Sequence, residues 1–423
     1  MSSNWALAVS LHWAGGLASA SFYVPYRKVK QWSWETYWLV GGFFSWLVAP
    51  VLFASILVPG FWPALTHIDG KTLFWTYFFG VLWGLGGLTF GLTMRFLGVG
   101  LGMAIALSYC AAFGTLVPPI FMGTFGNLVH NTWGLVTLLG VLICLMGIGV
   151  SGIAGMSKEK ELTGDAKKAA VKEFNFPLGF AVATFSGIMS ACFNFALTAG
   201  NQITINTSKI LLDNHGSQIW KGLPELIIVL LGGFTTNFIW CVILHFKNRT
   251  GAEYLVPKAD PEELSVITGV DGPGYAAPAN GGTRWPEKSR KSPLPLNYLF
   301  CALAGTLWYL QFFFYTMGQT KMPAGLKFSG WTLHMASIII FATLWGIFLH
   351  EWKGTSKRTH AWITLGLVLL IGSTLVVGWG NHLKPKKKTK KTAITKVQSL
   401  VPGKSALDQK KARLIVAGVS LIQ

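Results

Sequence analysis

One stretch, Gly305–His334, combines an apolar composition with polar side chains: GTLWYLQFFFYTMGQTKMPAGLKFSGWTLH. In hydrocarbon a polar group without a hydrogen-bond partner costs several kcal/mol, so polar residues at membrane depth usually face a bundle interior or a cavity. The i, i+3, i+4 and i+7 spacing places four of these side chains on one helix face: Trp308, Gln311, Phe312 and Tyr315. We interpret this stretch as half of a sugar-sized site.

The helix that follows repeats this combination of aromatic and polar side chains. Trp331 and His334 are three residues apart, so they share one helix face. Aromatic planes beside an amide and an imidazole suit an uncharged ligand with many hydroxyl groups. The C–H faces of such a ligand stack on rings, and its hydroxyls need polar partners.

The composition of the whole chain places these stretches in a membrane. Of its 423 residues, 52% are hydrophobic and 12% are charged, and the mean hydropathy is +0.48. Soluble domains carry about 25% charged residues. A spanning helix needs about 20 apolar residues, and the runs here are continuous where a β-barrel would alternate. We predict an all-α membrane protein with ten transmembrane helices.

The predicted organisation alternates apolar spans with polar segments. The spans are residues 5–25, 34–58, 73–94, 98–122, 133–154, 176–199, 224–246, 295–318, 328–350 and 360–381. Three polar segments are also predicted: a charged connector at 156–175, a long loop rich in Gly, Pro and charge at 247–294, and a basic tail at 383–423.

The two halves of the chain share short patterns in the same order. Gly16, Ser19 and Phe22 match Gly187, Ser190 and Phe193; Gly80 and Trp83 match Gly305 and Trp308; Phe113 and Thr115 match Phe341 and Thr343. With five spans in each half, the second half enters the membrane from the opposite side. The patterns therefore predict an inverted repeat of two five-helix units, 1–155 and 176–382, with a site at their interface near mid-membrane.

The charge of the chain raises the question of its partners. The formal net charge is +19, a value that elsewhere suggests nucleic-acid binding. Here the charge sits in loops and in the tail, so we expect it to set orientation and to contact anionic lipid. The predicted partners are a lipid bilayer and a small molecule, without nucleic acid. The five cysteines form no disulfide or metal pattern.

The spans carry no carboxylate at mid-depth, which limits the groups that a coupling proton could use. His12 and His334 lie inside predicted spans, and Glu35 lies near the start of another. Histidine titrates near pH 6.5, close to the working range. Either histidine could instead be neutral and only hydrogen-bonded, and Glu35 could simply favour a helix start. We retain all three as candidates for proton coupling, with the proton as coupling ion and no cofactor or metal.

Further residues are candidates for substrate binding. Trp83 and Trp308 occupy equivalent places in the two repeats, although most of the 19 tryptophans are expected to be interfacial anchors or packing residues. For Asn194, lining a cavity and bonding between helices are equally good interpretations. The predicted substrate-binding residues are Trp83, Asn194, Trp308, Gln311, Tyr315 and Trp331.

Several unusual strings carry a family resemblance that covers roughly residues 10–382. They are FYVPYRKVK at 22–30, WSWET at 32–36, FGLTMR at 90–95, WYLQFFFY at 308–315, WTLHM at 331–335 and EW at 351–352. At these positions the chain resembles the L-rhamnose–proton symporter family of the drug/metabolite transporter superfamily. The resemblance implies ten helices in an inverted repeat and proton-driven import of L-rhamnose across a bacterial inner membrane. It also supports roles for His12, Asn194, Gln311 and His334.

The resulting hypothesis is a proton-coupled symporter that imports L-rhamnose or a similar 6-deoxyhexose by alternating access. An alternative is a carrier or exporter of another small metabolite in the same superfamily. A membrane-embedded enzyme would require clustered acids, a metal set or a nucleophile with its base. The spans show no HExxH, GxSxG or carboxylate cluster, so we predict that the protein is not an enzyme. A channel is also disfavoured, because no filter-like loop is repeated.

Overall fold

A computed structural model describes residues 4–97, 99–161, 175–255, 293–323, 326–348 and 352–385. Contacts divide the chain into a compact unit, Met1–His382, and a separate segment, Leu383–Gln423. Most of the predicted connector, most of the predicted 247–294 loop and nearly all of the predicted basic tail lie outside the described residues.

The described ranges are helical and contain no β-strand. The helices are α1 (Trp5–Ser21), α2 (Tyr23–Tyr26), α3 (Trp34–Phe43), α4 (Ala49–Leu57), α5 (Trp62–Thr66), α6 (Gly70–Leu97), α7 (Val99–Phe121), α8 (Phe125–Val129), α9 (Thr132–Glu161), α10 (Phe176–Ala199), α11 (Asn201–Asp213), α12 (Leu223–Asn248), α13 (Leu294–Lys321), α14 (Ser329–Phe348) and α15 (Lys357–Leu383). Short 3₁₀ turns occupy Gln218–Trp220 and Gly251–Tyr254, and a π-helical segment, Phe44–Val48, joins α3 to α4.

Within the described ranges, nine helices or joined helices are long and apolar enough to cross a membrane, against ten predicted spans. The predicted first span, residues 5–25, is divided into α1 and the short helix α2. The 17 residues of α1 extend about 25 Å at 1.5 Å per residue, less than the roughly 30 Å of a bilayer core. The all-helical membrane class is therefore confirmed, and the tenth span is not established by length and composition alone.

Local sequence explains where several helices begin. The Asn4 side chain accepts a hydrogen bond from Leu7 N at 3.1 Å, and Asn175 does the same for Leu178 N at 3.2 Å. These asparagine caps satisfy backbone donors that have no partner within the helix. Proline occupies the first turn of α10, α12 and α13, where its missing N–H costs nothing.

The core is formed mainly by helices from opposite halves of the chain. Helix α1 packs against α13 and α14, whereas α10 packs against α6 and α7. At the centre, the rings of Phe193 and Phe312 stack with centroids 4.4 Å apart. Trp331 stacks on the same Phe193 ring at 5.8 Å. Residues distant in sequence therefore meet at the level where α10, α13 and α14 approach one another.

Candidate functional site

Helix α13 carries the polar residues around which the site is built. The Tyr315 side chain is fully buried, and its hydroxyl donates a hydrogen bond to Asn194 Oδ1 at 3.1 Å. Asn194 in turn donates from Nδ2 to the Gly114 carbonyl at 2.6 Å. Gln319, one helical turn after Tyr315, donates from Nε2 to the Tyr315 oxygen at 2.5 Å. This chain of hydrogen bonds connects α13, α10 and α7.

Two histidines flank the Tyr315 ring. Its centroid lies 5.2 Å from the centroid of His12 and 5.2 Å from that of His334. The two imidazole centroids are 6.2 Å apart. Both histidines are buried. Neither nitrogen of the His12 ring has a hydrogen-bond partner among the described residues, whereas the His334 ring approaches the His12 backbone without good hydrogen-bond geometry. Such nitrogens are normally paired in a protein interior.

Glycines allow the histidine helices to approach so closely. A Cβ added at Gly15 would lie 2.9 Å from the Gln311 carbonyl oxygen and 3.1 Å from His334 Cε1. A Cβ at Gly318 would lie 2.9 Å from His12 Nε2. Contacts below 3.0 Å essentially never occur for a real Cβ, so a larger residue at Gly15 would push α1 away from the α13 backbone, and one at Gly318 would displace the His12 ring.

Trp331 closes one side of this arrangement. Its ring lies 5.6 Å from Tyr315 and 6.3 Å from His334, centroid to centroid. Its indole Nε1 donates to the Cys110 carbonyl at 3.0 Å, so this N–H is already used. We name the set of His12, Asn194, Tyr315, Trp331 and His334 the histidine cluster.

Three other predicted residues lie beside the histidine cluster without joining it. Trp83 and Trp308 both present edge contacts to the Phe312 ring, at 5.3 and 6.1 Å between centroids. Gln311 is 3% exposed, and its Nε2 has no partner in the part of the chain that the structure describes. The two tryptophans are therefore separated from the histidines by a filled aromatic layer.

Glu35 belongs to a different network. Its Oε1 accepts hydrogen bonds from Asn248 Nδ2 at 3.0 Å and from Thr250 Oγ1 at 2.7 Å. Thr250 Oγ1 is 2.8 Å from His245 Nδ1, and His245 Nε2 is 2.7 Å from the Tyr254 hydroxyl. The structure thus joins Glu35 to the end of α12, and none of these bonds reaches His12 or His334.

A small hollow, with room for about one water molecule, lies where α2, α3, the π-helical segment and α13 meet. We name it the aromatic pocket; its lining includes Phe22, Tyr26, Trp38, Ser45, Trp46 and Trp308, with glycines of α3 and α13. Ser45 and Trp46 belong to the π-helical segment. This segment directly precedes Ala49 and Pro50, and a proline supplies no N–H to the carbonyl four residues before it. Such segments occur frequently at functional sites.

The family of the chain is decided by comparison with known proteins. A family model described as L-rhamnose-proton symport protein (RhaT) matches residues 1–259 and 288–382. The chain belongs to this family. Curated relatives named L-rhamnose-proton symporter, from Salmonella gallinarum and Salmonella paratyphi B, are each 34% identical over 381 residues, covering 90% of this chain and 99% of theirs.

Membership of the symporter family confirms the resemblance seen in the sequence and the prediction that the protein is a transporter and not an enzyme. With its apolar helices, it is a multi-pass protein of the bacterial inner membrane. Residues 260–287 fall outside the family match, inside the long loop predicted at 247–294. In the described ranges, no three His, Cys, Asp or Glu side chains group in a way that could hold a metal.

Sequence reasoning missed several polar residues of this site. Gln319 was available from helical spacing, since it lies four residues after Tyr315 and therefore on the same face. Asn248 and Thr250 gave no such signal, because their contact with Glu35 joins positions 213 and 215 residues apart. The polar atoms of Ser45 and Trp46 were equally hidden, since the π-helical turn changes which residues face inward.

Proposed function

We propose that this protein is a proton-coupled symporter that imports L-rhamnose or a similar 6-deoxyhexose by alternating access. The observation that carries the proposal is the pair of buried histidines, placed between helices from opposite halves of a chain of this family, with both ring nitrogens of His12 unpaired among the described residues. Ionisable residues at membrane depth mark ion or proton pathways more often than structural positions. An uncharged sugar fits surroundings that contain aromatic rings and amides.

The architecture proposed for this transport is ten helices in two inverted repeats, 1–155 and 176–382, in which α1 serves as the tenth span. Equivalent packing supports it. Phe22 contacts Trp308 at 4.3 Å between centroids, and Phe193 contacts Trp83 at 5.3 Å. These four residues are the pairs that the sequence patterns align. Likewise, α1 packs on α13 and α14 as α10 packs on α6 and α7. Rocking of one unit on the other would expose the site alternately.

The histidine cluster is the proposed proton site. Two positive charges 6.2 Å apart would repel by about 3 kcal/mol at an effective dielectric constant of roughly 20. We therefore expect His12 and His334 to hold one proton between them. The proton would be accepted by an unpaired ring nitrogen, and the new charge would act on the Tyr315 hydroxyl and, through it, on Asn194. In this way protonation would change the contact between α13 and α10.

Glu35 remains a third candidate for proton coupling. It lies beside the C-terminal end of α12, where Thr250 donates a hydrogen bond to its carboxylate. A hydrogen-bonded path from Tyr254 through His245 and Thr250 ends at its carboxylate. Such a path can pass a proton by successive donation. The sugar itself is proposed to lie between the repeats, near Trp83, Asn194, Trp308, Gln311, Tyr315 and Trp331.

The test is uptake of radiolabelled L-rhamnose into proteoliposomes with and without an imposed pH gradient. The proposal expects saturable uptake that the gradient drives above equilibrium and that a protonophore abolishes. Flux that ignores the gradient would contradict symport. The alternative, a carrier or exporter of another small metabolite, would be favoured if unlabelled L-rhamnose failed to compete with a different sugar or nucleoside that is transported.

A further inference from the structure

We propose that Glu225 is a proton-carrying residue of the transport cycle. This inference rests on the proposed function, because it adds a carboxyl group to the proton path of the same symporter. Glu225 is the third residue of α12, lies within the apolar span Gln218–Asn248, and is 4% exposed. It belongs neither to the histidine cluster nor to the Glu35 network. Buried ionisable residues in a membrane span mark ion or proton pathways.

The carboxyl group of Glu225 is only half satisfied. Thr204 Oγ1 donates to its Oε2 at 2.6 Å, whereas Oε1 is buried and has no hydrogen-bond partner among the described residues. A buried carboxylate is normally paired with a cation or bonded by several donors. Because a single donor supports the ionised form without fixing it, Oε1 is free to gain and lose a proton. On release the O–H bond at Oε1 breaks, the proton passes to water or to an imidazole nitrogen, and the carboxylate remains.

A structural role at the start of α12 does not account for these contacts. A glutamate at the third helical position commonly accepts a hydrogen bond from the N–H of the cap residue, here Gly222. The Glu225 side chain instead reaches α11 through Thr204, and α10, where a Cβ added at Gly200 would lie 2.6 Å from Glu225 Oε1. The helix macrodipole favours a carboxylate in the first turn, but it leaves the unpaired Oε1 unexplained.

The charged and titratable groups around Glu225 lie in two directions. Toward the end of the bundle, the exposed Lys327 attracts its carboxylate, and Lys221 in turn repels Lys327. Toward the interior, the charge of Glu225 acts on the Tyr315 hydroxyl of the histidine cluster. The described groups that face the carboxyl from α6, α10 and α11 are uncharged: Thr76, Gly200 and Thr204. Glu225 is therefore placed between a water-facing lysine and the proposed proton site.

The turn that holds Lys327 is also bonded to the surroundings of the histidine cluster. Gln319 Nε2, which donates to Tyr315, lies 3.1 Å from the Lys327 carbonyl oxygen. A Cβ added at Gly330 would lie 2.7 Å from Gln319 Nε2 and 3.1 Å from His12 Nε2, so this amide lies beside the His12 ring. Polar groups thus continue from the Lys327 turn to the histidines.

Glu225 and Glu35 mark opposite ends of α12. Glu35 accepts a hydrogen bond from Asn248, the last residue of this helix, which lies about 34 Å along the axis from Glu225 at 1.5 Å per residue. The hydrocarbon core of a bilayer is about 30 Å thick. The fold therefore places a buried carboxyl group near each face of the membrane. Alternating access requires this, because the proton must be exchanged with water on both sides.

The first test is uptake of radiolabelled L-rhamnose into proteoliposomes that contain Glu225→Gln. Glutamine resembles the neutral carboxyl but cannot release a proton, so gradient-driven accumulation should fall about 5- to 150-fold. Counterflow of sugar without a gradient should persist, which shows that the variant is folded. The matched control is Asp213→Asn, at an exposed carboxylate on α11, the helix that carries Thr204. Its accumulation should stay within about twofold of the unmodified chain.

The second test detects the proton itself. The infrared C=O stretch of a protonated carboxyl group should appear in a pH titration of the purified full-length chain, and Glu225→Gln should remove it. Thr204→Val removes the donor to Oε2 and so disfavours the carboxylate, which should move the pH midpoint of this band upward by about one unit. Thr207→Val is the control on the same helix, because Thr207 Oγ1 donates to the Ile203 carbonyl, and its midpoint should not move.

The two tests separate this inference from the proposed function. Full accumulation in Glu225→Gln, or an infrared titration that this substitution leaves unchanged, would overturn the role of Glu225 and leave the symporter standing. If Glu225→Gln also loses counterflow, the infrared titration of Thr204→Val decides, and an unmoved midpoint would overturn the role. Failure of the unmodified chain to accumulate L-rhamnose under a pH gradient would instead overturn the proposed function.

Discussion

The imidazole rings of His12 and His334 lie 6.2 Å apart, on helices from opposite ends of the sequence. Tyr315 contacts both rings, and its hydroxyl bonds to Asn194 on a third helix. A positive charge on either ring would therefore be placed where α1, α10, α13 and α14 meet. This arrangement makes the histidine pair the first target for mutation.

His12→Gln and His334→Gln should each reduce gradient-driven accumulation of L-rhamnose about 5- to 150-fold. This is the fold-change that corresponds to typical coupling free energies between two binding sites. Counterflow of sugar without a gradient should persist, because glutamine cannot carry the proton but preserves polarity. Proteoliposome uptake measures both quantities. His67→Gln, at an exposed histidine, is the control and should behave as the unmodified chain. Full accumulation in both histidine variants would place coupling elsewhere, with Glu35 the next candidate.

Tyr315→Phe should lower the stability of the purified protein by about 1–3 kcal/mol, because it leaves Asn194 Oδ1 buried without its donor. Combined with Asn194→Ala, the two effects should be non-additive by about 0.5–3 kcal/mol. The matched control is Tyr309→Phe on the same helix. Tyr309 is equally buried, but its hydroxyl has no partner among the described residues, so its removal should be neutral or stabilising. Chemical denaturation measures each difference, and equal losses for both tyrosines would contradict the assigned bond.

Gly80→Ala should destabilise the packing of α6 on α12. The added Cβ would collide with the Val229 carbonyl oxygen, and overpacking costs about 1–3 kcal/mol, more than the helix-propensity gain of roughly 0.5–1 kcal/mol. Gly87→Ala on the same helix meets nothing within 4 Å and should be neutral or slightly stabilising. Melting temperatures in detergent give the comparison. Gly305→Ala, at the aligned place in the second repeat, should resemble Gly80→Ala, since its Cβ would meet the Gly41 carbonyl.

Glu161 ties α9 to α15 outside the apolar span Thr132–Lys158. Hydrogen bonds from Ser356 and Thr359 lower the pKa of its carboxyl from about 4.5 to about 2. A lowered pKa in the folded state means that the ionised carboxylate stabilises the fold above pH 4.5, and that this contribution is lost as pH falls toward 2. Glu161→Gln should therefore lower the melting temperature at neutral pH and flatten its decrease between about pH 4.5 and 2. An unchanged pH profile would show that the hydrogen bonds from Ser356 and Thr359 to Glu161 do not contribute to stability.

The sequence predicted the helical class and most element positions because continuous apolar runs have few structural solutions in lipid. The predicted 176–199 span coincides with α10, and the predicted 295–318 span lies within α13. The predicted first span, 5–25, covers α1 and most of α2, which the structure separates at Phe22. Nothing in its hydropathy indicates that the helix is interrupted at Phe22, which packs onto Trp308 from the far half of the chain.

The site was only partly accessible to the same reasoning. Helical spacing identified one face of α13, and the family resemblance supported roles for His12, Asn194 and His334. Spacing cannot show that Tyr315 stands between two histidines, because that contact joins three helices. It also cannot show that Glu35 is bonded to Thr250, a residue 215 positions away.

The sequence by itself determined that this chain is a helical membrane protein of a symporter family, since composition and short motifs are local properties. The tertiary structure alone decided which polar side chains share a space. It brought the histidines around Tyr315, placed the Phe312 ring against both Trp83 and Trp308, and left the small aromatic pocket beside Ser45 and Trp46. The physical reason is that partners for buried polar atoms come from whichever helices pack together, and that packing is a property of the whole chain.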